Sequence, residues 1–137
     1  MYESLPYQAV IAGVGSHVPE KVLTNADLEE IVETSDEWIV TRTGIRERRI
    51  LANDKATSDM ALEAARKALI DAKTTPESID MVVCSTFTPD YVFPSTACIL
   101  QAKMGLKNAG CFDLAAACSG FVYGLTVGSQ FISTGKA

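Results

Sequence analysis

Asp113-Leu-Ala-Ala-Ala-Cys118-Ser-Gly120-Phe-Val-Tyr-Gly124-Leu125 puts a cysteine where an apolar run changes into a helical pattern. The spacing predicts an inner strand over Cys111 to Ala115 and a helix beginning just after Cys118. The first N–H groups of a helix have no intrahelical acceptor and carry partial positive charge, so a thiol held there is stabilised as thiolate. The same N–H groups can receive the oxyanion that forms when a thiolate attacks a thioester. A small cysteine in an alanine-rich run is also what ordinary core packing looks like, and composition alone leaves both readings open.

Behind Cys118 the glycines 120, 124 and 128 recur at every fourth position and so share one helix face. Each weakens a helix interior by about 1 kcal/mol relative to alanine, which implies close backbone packing against another layer. The apolar run from Leu114 to Val127 is too short to span a bilayer, so a membrane dimer motif is excluded and no membrane association is expected.

Outward from this stretch, strands alternate with helices. Gln8 to Ser16 reads as a strand closing at Gly13 and Gly15. Thr24 or Asn25 caps a short helix through Glu33, and Ser35 caps a second through Arg42 with Gly44 at its C-terminal turn. Ile45 to Leu51 alternates apolar and charged residues as a solvent-facing strand does. From Thr57 to Lys73 the residues Ala61, Ala64, Ala65, Ala68, Leu69 and Ala72 form one narrow face that can pack closely on a sheet. Thr75-Pro76 opens a turn before the wholly apolar Met81 to Ser85, typical of an inner parallel strand. Ser95 to Met104 is a further helix, ended by Gly105. The alternation indicates an α/β layered architecture with a mainly parallel sheet.

Length and composition narrow the function classes. A chain of 137 residues is sized for one core, and 47% hydrophobic with 21% charged residues is ordinary for a globular protein. A net charge of −5 argues against a nucleic-acid surface. The exception is the basic island of Arg42, Arg46, Arg48, Arg49 and Lys55, which is either a solvated edge or a contact for phosphates. The N-terminus has no secretory pattern, which points to the cytoplasm. Cys84, Cys98, Cys111 and Cys118 form no C-x-x-C pair and His17 is the sole histidine, so neither a metal site nor a disulfide framework is expected.

Four stretches together resemble β-ketoacyl-acyl-carrier-protein synthase III, a thiolase-fold condensing enzyme family. They are Ala9 to Ser16 with Pro19; Thr24 to Glu29 followed by Thr34 to Arg49; Phe93-Pro94-Ser95; and the Cys118 segment itself. The resemblance implies that residues 1–137 are an N-terminal thiolase-like half-domain, incomplete, with the second similar half absent. It implies that Cys118 takes an acyl group from acyl-coenzyme A and passes it to malonyl-acyl carrier protein as carbon dioxide leaves, which initiates fatty-acid synthesis. Coenzyme A enters as substrate, with no separate cofactor.

By the same resemblance Trp38 stacks on the adenine of coenzyme A and Arg42 reaches the nucleotide, with Thr34 and Thr43 adding hydrogen bonds. Phe93 lines the acyl pocket of a partner across a homodimer, its other reading being ordinary core before Pro94. The histidine and asparagine that stabilise the malonyl enolate in the family have no match here: His17 comes too early, and Asn25, Asn53 and Asn108 fall in no catalytic motif. Such a fragment is expected to be inactive alone. The alternatives are another thiolase-fold acyltransferase, such as a starter-unit ketosynthase or hydroxymethylglutaryl-coenzyme A synthase, and a noncatalytic module that binds coenzyme A or dimerises.

Overall fold

Hydrogen bonding sorts the alternating pattern into two separate two-stranded sheets among residues 7–136, which the computed structural model describes. In chain order the elements are β1 (Lys21–Thr24), α1 (Asn25–Glu29), α2 (Asp36–Thr43), β2 (Glu47–Ile50), α3 (Thr57–Asp71), β3 (Met81–Cys84), α4 (Thr96–Met104), β4 (Gly110–Asp113) and α5 (Gly120–Ser133). Short 3₁₀ turns lie at Pro76–Ser78 and Ala117–Ser119. The chain divides into two compact units, Val18–Lys55 and the remainder on either side of it. No helix among the described residues is long and apolar enough to cross a membrane.

In the larger unit β3 and β4 pair in parallel, Met81 opposite Gly110 through Cys84 opposite Asp113. A parallel pair needs a crossover, and α4 supplies it. Ser95 caps α4 by accepting from the Cys98 N–H, and Gly105, at φ 72°, closes it in the left-handed region where glycine bears no Cβ penalty. The apolar core sits beneath this crossover, where Ala97, Leu100, Leu106 and Ala109 are buried. Removing such side chains from water contributes about 25 cal/mol for each Å² of apolar surface. β3 itself is only half-buried, not covered on both faces.

Residues 8–16, expected as a strand, form none: the segment carries no ladder partner among the described residues. It lies instead along α3. A Cβ on Gly13 would stand 2.5 Å from the Ala72 nitrogen and 2.7 Å from the Ala68 carbonyl oxygen, and one on Gly15 would collide with the Ala64 carbonyl. The small-residue face of α3 therefore admits bare backbone at this approach. The Val14 N–H donates to Asp71 at 2.9 Å and Lys67 donates to the Ser16 carbonyl at 2.8 Å, taking over what a ladder would otherwise satisfy.

The smaller unit is built on β1 and β2, paired antiparallel with Lys21 opposite Ile50 and Thr24 opposite Glu47. β1 went unread in the sequence because a four-residue edge strand carries too little alternation to register. Thr24 and Asp27 form a reciprocal capping box at the start of α1, which ends at Glu29 and not at Glu33. Backbone bonds from Ile31 and Val32 to the Leu28 carbonyl turn the chain there, before Ser35 starts α2.

Candidate active site

β4 ends at Asp113, whose two carboxylate oxygens accept the Thr96 and Ala97 N–H groups at 2.8 Å each, tying the strand end to the first turn of α4. Charge-assisted bonds to a helix N-terminus are among the stronger ones in a fold. The Leu114 N–H continues toward β3 by donating to the Cys84 carbonyl at 2.9 Å. The chain then leaves the sheet through Ala117, whose φ of 44° is left-handed backbone on a residue with a Cβ. Such a conformation stores of order 1 kcal/mol and persists only when its surroundings hold it. Cys118 follows immediately on the 3₁₀ turn, with an exposed thiol, and α5 begins two residues later.

The glycines of α5 divide by neighbour. A Cβ on Gly120 would lie 3.3 Å from the Ser85 Cβ and one on Gly124 would meet the Ser85 hydroxyl at 2.5 Å, so these two let α5 press on the end of β3. Gly128 meets nothing within 4 Å, which does not match the expectation that all three glycines pack closely. On β3, burial and then the carboxylates of Asp113 and Asp90 push the Cys84 thiol up to about 11. Burial also raises the Cys111 thiol.

Phe93 is 90% exposed and so takes no part in the core of its unit. Its loop is anchored through Asp90, which accepts from both the backbone N–H and the hydroxyl of fully buried Ser58. Lys103 in turn donates to Ser58 and pairs with Asp59 at 2.8 Å. These supports were missed in the sequence, where Ser58 and Asp90 are polar residues 32 positions apart with no shared motif.

The remaining candidates lie in the smaller unit. Ser35 caps α2 by accepting from the Trp38 N–H at 3.1 Å. Trp38 and Arg42 stand one turn apart on α2, and the guanidinium carbon lies 5.3 Å from the indole centroid, within cation–π range. The indole is 55% exposed and lines a shallow groove with Ser35, Glu37, Thr41 and Arg42. Thr34 lines an adjoining depression with Glu33, Ser35 and Trp38. Thr43 is committed elsewhere: its hydroxyl donates to the Ile39 carbonyl at 2.7 Å and accepts the Ile45 N–H at 3.0 Å, finishing α2.

Within the basic island, Arg48 and Arg49 are engaged internally. Arg48 donates to the Asn25 side chain and the Leu23 carbonyl, and Arg49 donates to the Pro19 and Glu20 carbonyls and pairs with Glu47. No group of His, Cys, Asp and Glu able to hold a metal occurs among the described residues.

A β-ketoacyl-acyl-carrier-protein synthase III from Caldanaerobacter subterraneus subsp. tengcongensis is 58% identical over 127 residues, which are 93% of this chain and 38% of that protein. The chain matches the N-terminal portion of the β-ketoacyl-acyl-carrier-protein synthase III family. The crystal structure of the synthase III from Aquifex aeolicus superposes with a TM-score of 0.89 at 50% identity, covering 96% of this chain and 42% of that one. A priming β-ketosynthase from a polyketide biosynthetic pathway gives 0.90 at 35% identity, over all of this chain and 42% of its own. A family model described as 3-oxoacyl-(acyl-carrier-protein) synthase III matches residues 112–137, the segment that contains Cys118. The thiolase-like layered fold expected from the sequence is therefore present, and the chain spans about two-fifths of the length of these synthase III relatives.

Proposed function

We propose that this chain supplies the nucleophile and the nucleotide-recognition helix of a fatty-acid-initiating β-ketoacyl-acyl-carrier-protein synthase III. The observation that carries the reading is Cys118: an exposed thiol on a strained turn, next to left-handed Ala117, at the mouth of α5. In this reading the Cys118 Sγ attacks the carbonyl of an acyl-coenzyme A, probing first with acetyl-coenzyme A as the smallest donor. The backbone N–H of Cys118 donates to the oxyanion, the carbon–sulfur bond to the coenzyme breaks, and coenzyme A leaves as thiol with the proton that Cys118 gave up.

In the second step the malonyl group on acyl carrier protein loses carbon dioxide, and the resulting carbanion attacks the acyl-cysteine. A carbon–carbon bond forms and the Cys118 thiolate departs. The donors that stabilise the enolate belong, in this reading, to sequence outside these residues. Trp38 and Arg42 act only on the coenzyme, by an aromatic plate for the base and a charged fork for a phosphate. Thr34 borders that groove, while Thr43 contributes through the end of α2. Phe93, projecting 90% exposed from its anchored loop, serves as a contact between two copies in a cytoplasmic homodimer.

The test joins this chain to the remainder found in its full-length relatives and follows acetyl transfer from radiolabelled acetyl-coenzyme A. Label should reside on Cys118 after brief incubation and be chased into a β-ketoacyl product by malonyl-acyl carrier protein. Label on any other residue, or none, overturns the assignment. Retention of transfer with loss of the chase would favour a different thiolase-fold acyltransferase, the reading that the priming ketosynthase resemblance keeps open.

A further inference from the structure

Asn25 is 2% exposed, one of the most deeply buried polar side chains in the chain, and it stands directly beneath the helix that carries Trp38 and Arg42. Its amide nitrogen donates to the Asp36 carboxylate at 2.7 Å and to the Ile45 carbonyl at 2.9 Å. Its amide oxygen accepts from Arg48 at 2.7 Å, and its backbone N–H donates to the Arg46 carbonyl at 3.2 Å. Asp36 opens α2 and Ile45 follows the Gly44 that ends it, so one side chain holds the first residue of this helix and the chain just after it. Both amide hydrogens and one oxygen lone pair are used, and the orientation of the amide is thereby determined.

Burying such a group is favourable only when every bond is made, since each unmet donor or acceptor carries a penalty of about 1–3 kcal/mol. Alternative placements of α2 would strand the buried amide of Asn25. The Glu29 carboxylate adds a second tether by accepting the Asp36 N–H at 2.6 Å. Apolar packing contributes little here, because α2 has no buried residue. The helix that presents the indole and guanidinium is held by polar bonds.

We propose that Asn25, acting with Arg48 and Asp36, is a positioning residue for the nucleotide end of acyl-coenzyme A, which it never touches: it holds α2 so that Trp38 and Arg42 present one joint surface. The inference rests on the proposed role of Trp38 and Arg42. It predicts a selective defect, because a misplaced α2 loses binding to the nucleotide while the thioester chemistry at Cys118 proceeds.

The experiment uses the completed protein with two acyl donors, acetyl-coenzyme A and acetylpantetheine, which has the same thioester and no nucleotide. Asn25→Ala should raise KM for acetyl-coenzyme A about tenfold with kcat within twofold, and leave KM for acetylpantetheine unchanged. Arg48→Lys keeps the charge but loses the fork, and should give about a threefold rise of the same kind even if Asn25→Ala folds poorly. Trp38→Ala, run alongside, separates the two ideas. If it raises KM for acetyl-coenzyme A while both network variants leave that value unchanged, the positioning role is overturned and the proposed role of Trp38 and Arg42 survives. An equal loss with both donors in the network variants also overturns it, assigning Asn25 to folding alone. No effect of Trp38→Ala removes the proposed role of Trp38 and Arg42 and the positioning role with it.

Discussion

Around Cys118 the geometry is made by backbone: left-handed Ala117, bare glycines at 120 and 124 against Ser85, and carbonyl and N–H groups shared between strand ends. Around Trp38 and Arg42 it is made by side chains: Ser35 caps a short, exposed helix, and Asn25, itself bonded by Arg48, donates to Asp36 at the helix start. The difference fits the roles proposed for the two regions. A nucleophile and its oxyanion donors have to be held to within a fraction of an ångström, which backbone bonds inside a layered sheet achieve. A stacking plate tolerates more play, so a polar tether suffices. The first region should break when a side chain is added, the second when one is removed.

The largest effect separates chemistry from recognition. Replacing Cys118 by alanine in the completed protein should abolish acyl-enzyme formation and lower condensation at least about a thousandfold, measured as carbon dioxide release. A residual rate within tenfold of the parent would place the nucleophile elsewhere.

The next contrast is between Cys84 at the end of β3 and Cys118 on the turn that follows β4. Iodoacetamide at pH 8 should modify Cys118 about a hundredfold faster than Cys84, whose thiol is half-buried and held protonated to about 11. Raising the pH should speed Cys84 labelling about tenfold per unit until that value is reached. Because the folded state binds this proton more tightly than the unfolded chain does, the corresponding stabilisation is complete below the unfolded thiol's titration near pH 8.5 and is lost as pH rises toward about 11. Peptide mapping by mass spectrometry and alkaline urea titrations read the two halves of this prediction.

On the recognition side, Arg42→Ala should raise KM for acetyl-coenzyme A about tenfold while sparing kcat, since the guanidinium lies over Trp38 and is proposed to contact only the nucleotide. Steady-state kinetics with acetylpantetheine as the control donor would show no change. A fall in kcat with both donors would remove the distinction between the two regions.

The smallest effect tests the backbone argument within α5. Gly124→Ala puts a Cβ against the Ser85 hydroxyl and should destabilise by about 1 kcal/mol, whereas Gly128→Ala, with open space around it, should gain up to about 1 kcal/mol in helix propensity. Urea unfolding of this chain distinguishes them. Equal losses would mean that the face bearing Gly128 is also covered.

Much of the site could be read before any coordinates because its parts are local. A cysteine at the strand-to-helix junction, Ser35 and Gly44 bracketing α2, Ser95 and Gly105 bracketing α4, and Trp38 and Arg42 one turn apart all follow from backbone preferences within a few residues. What stayed hidden depends on partners far along the chain. The segment 8–16 has strand character, yet a ladder needs a neighbour, and its glycines lie instead on α3. The Gly128 face looked like its neighbours in sequence and differs only in what stands opposite. Asn25 reads as a helix-start residue, and only the return of Ile45 and Arg48 to its side reveals a buried clasp. Sequence determined most of the elements, the place of Cys118 at a strand-to-helix junction and the one-turn spacing of Trp38 and Arg42, since caps, turns and helical spacing act over one or two turns. Tertiary structure alone decided which polar groups are buried together, because desolvation and hydrogen bonding depend on residues tens of positions apart.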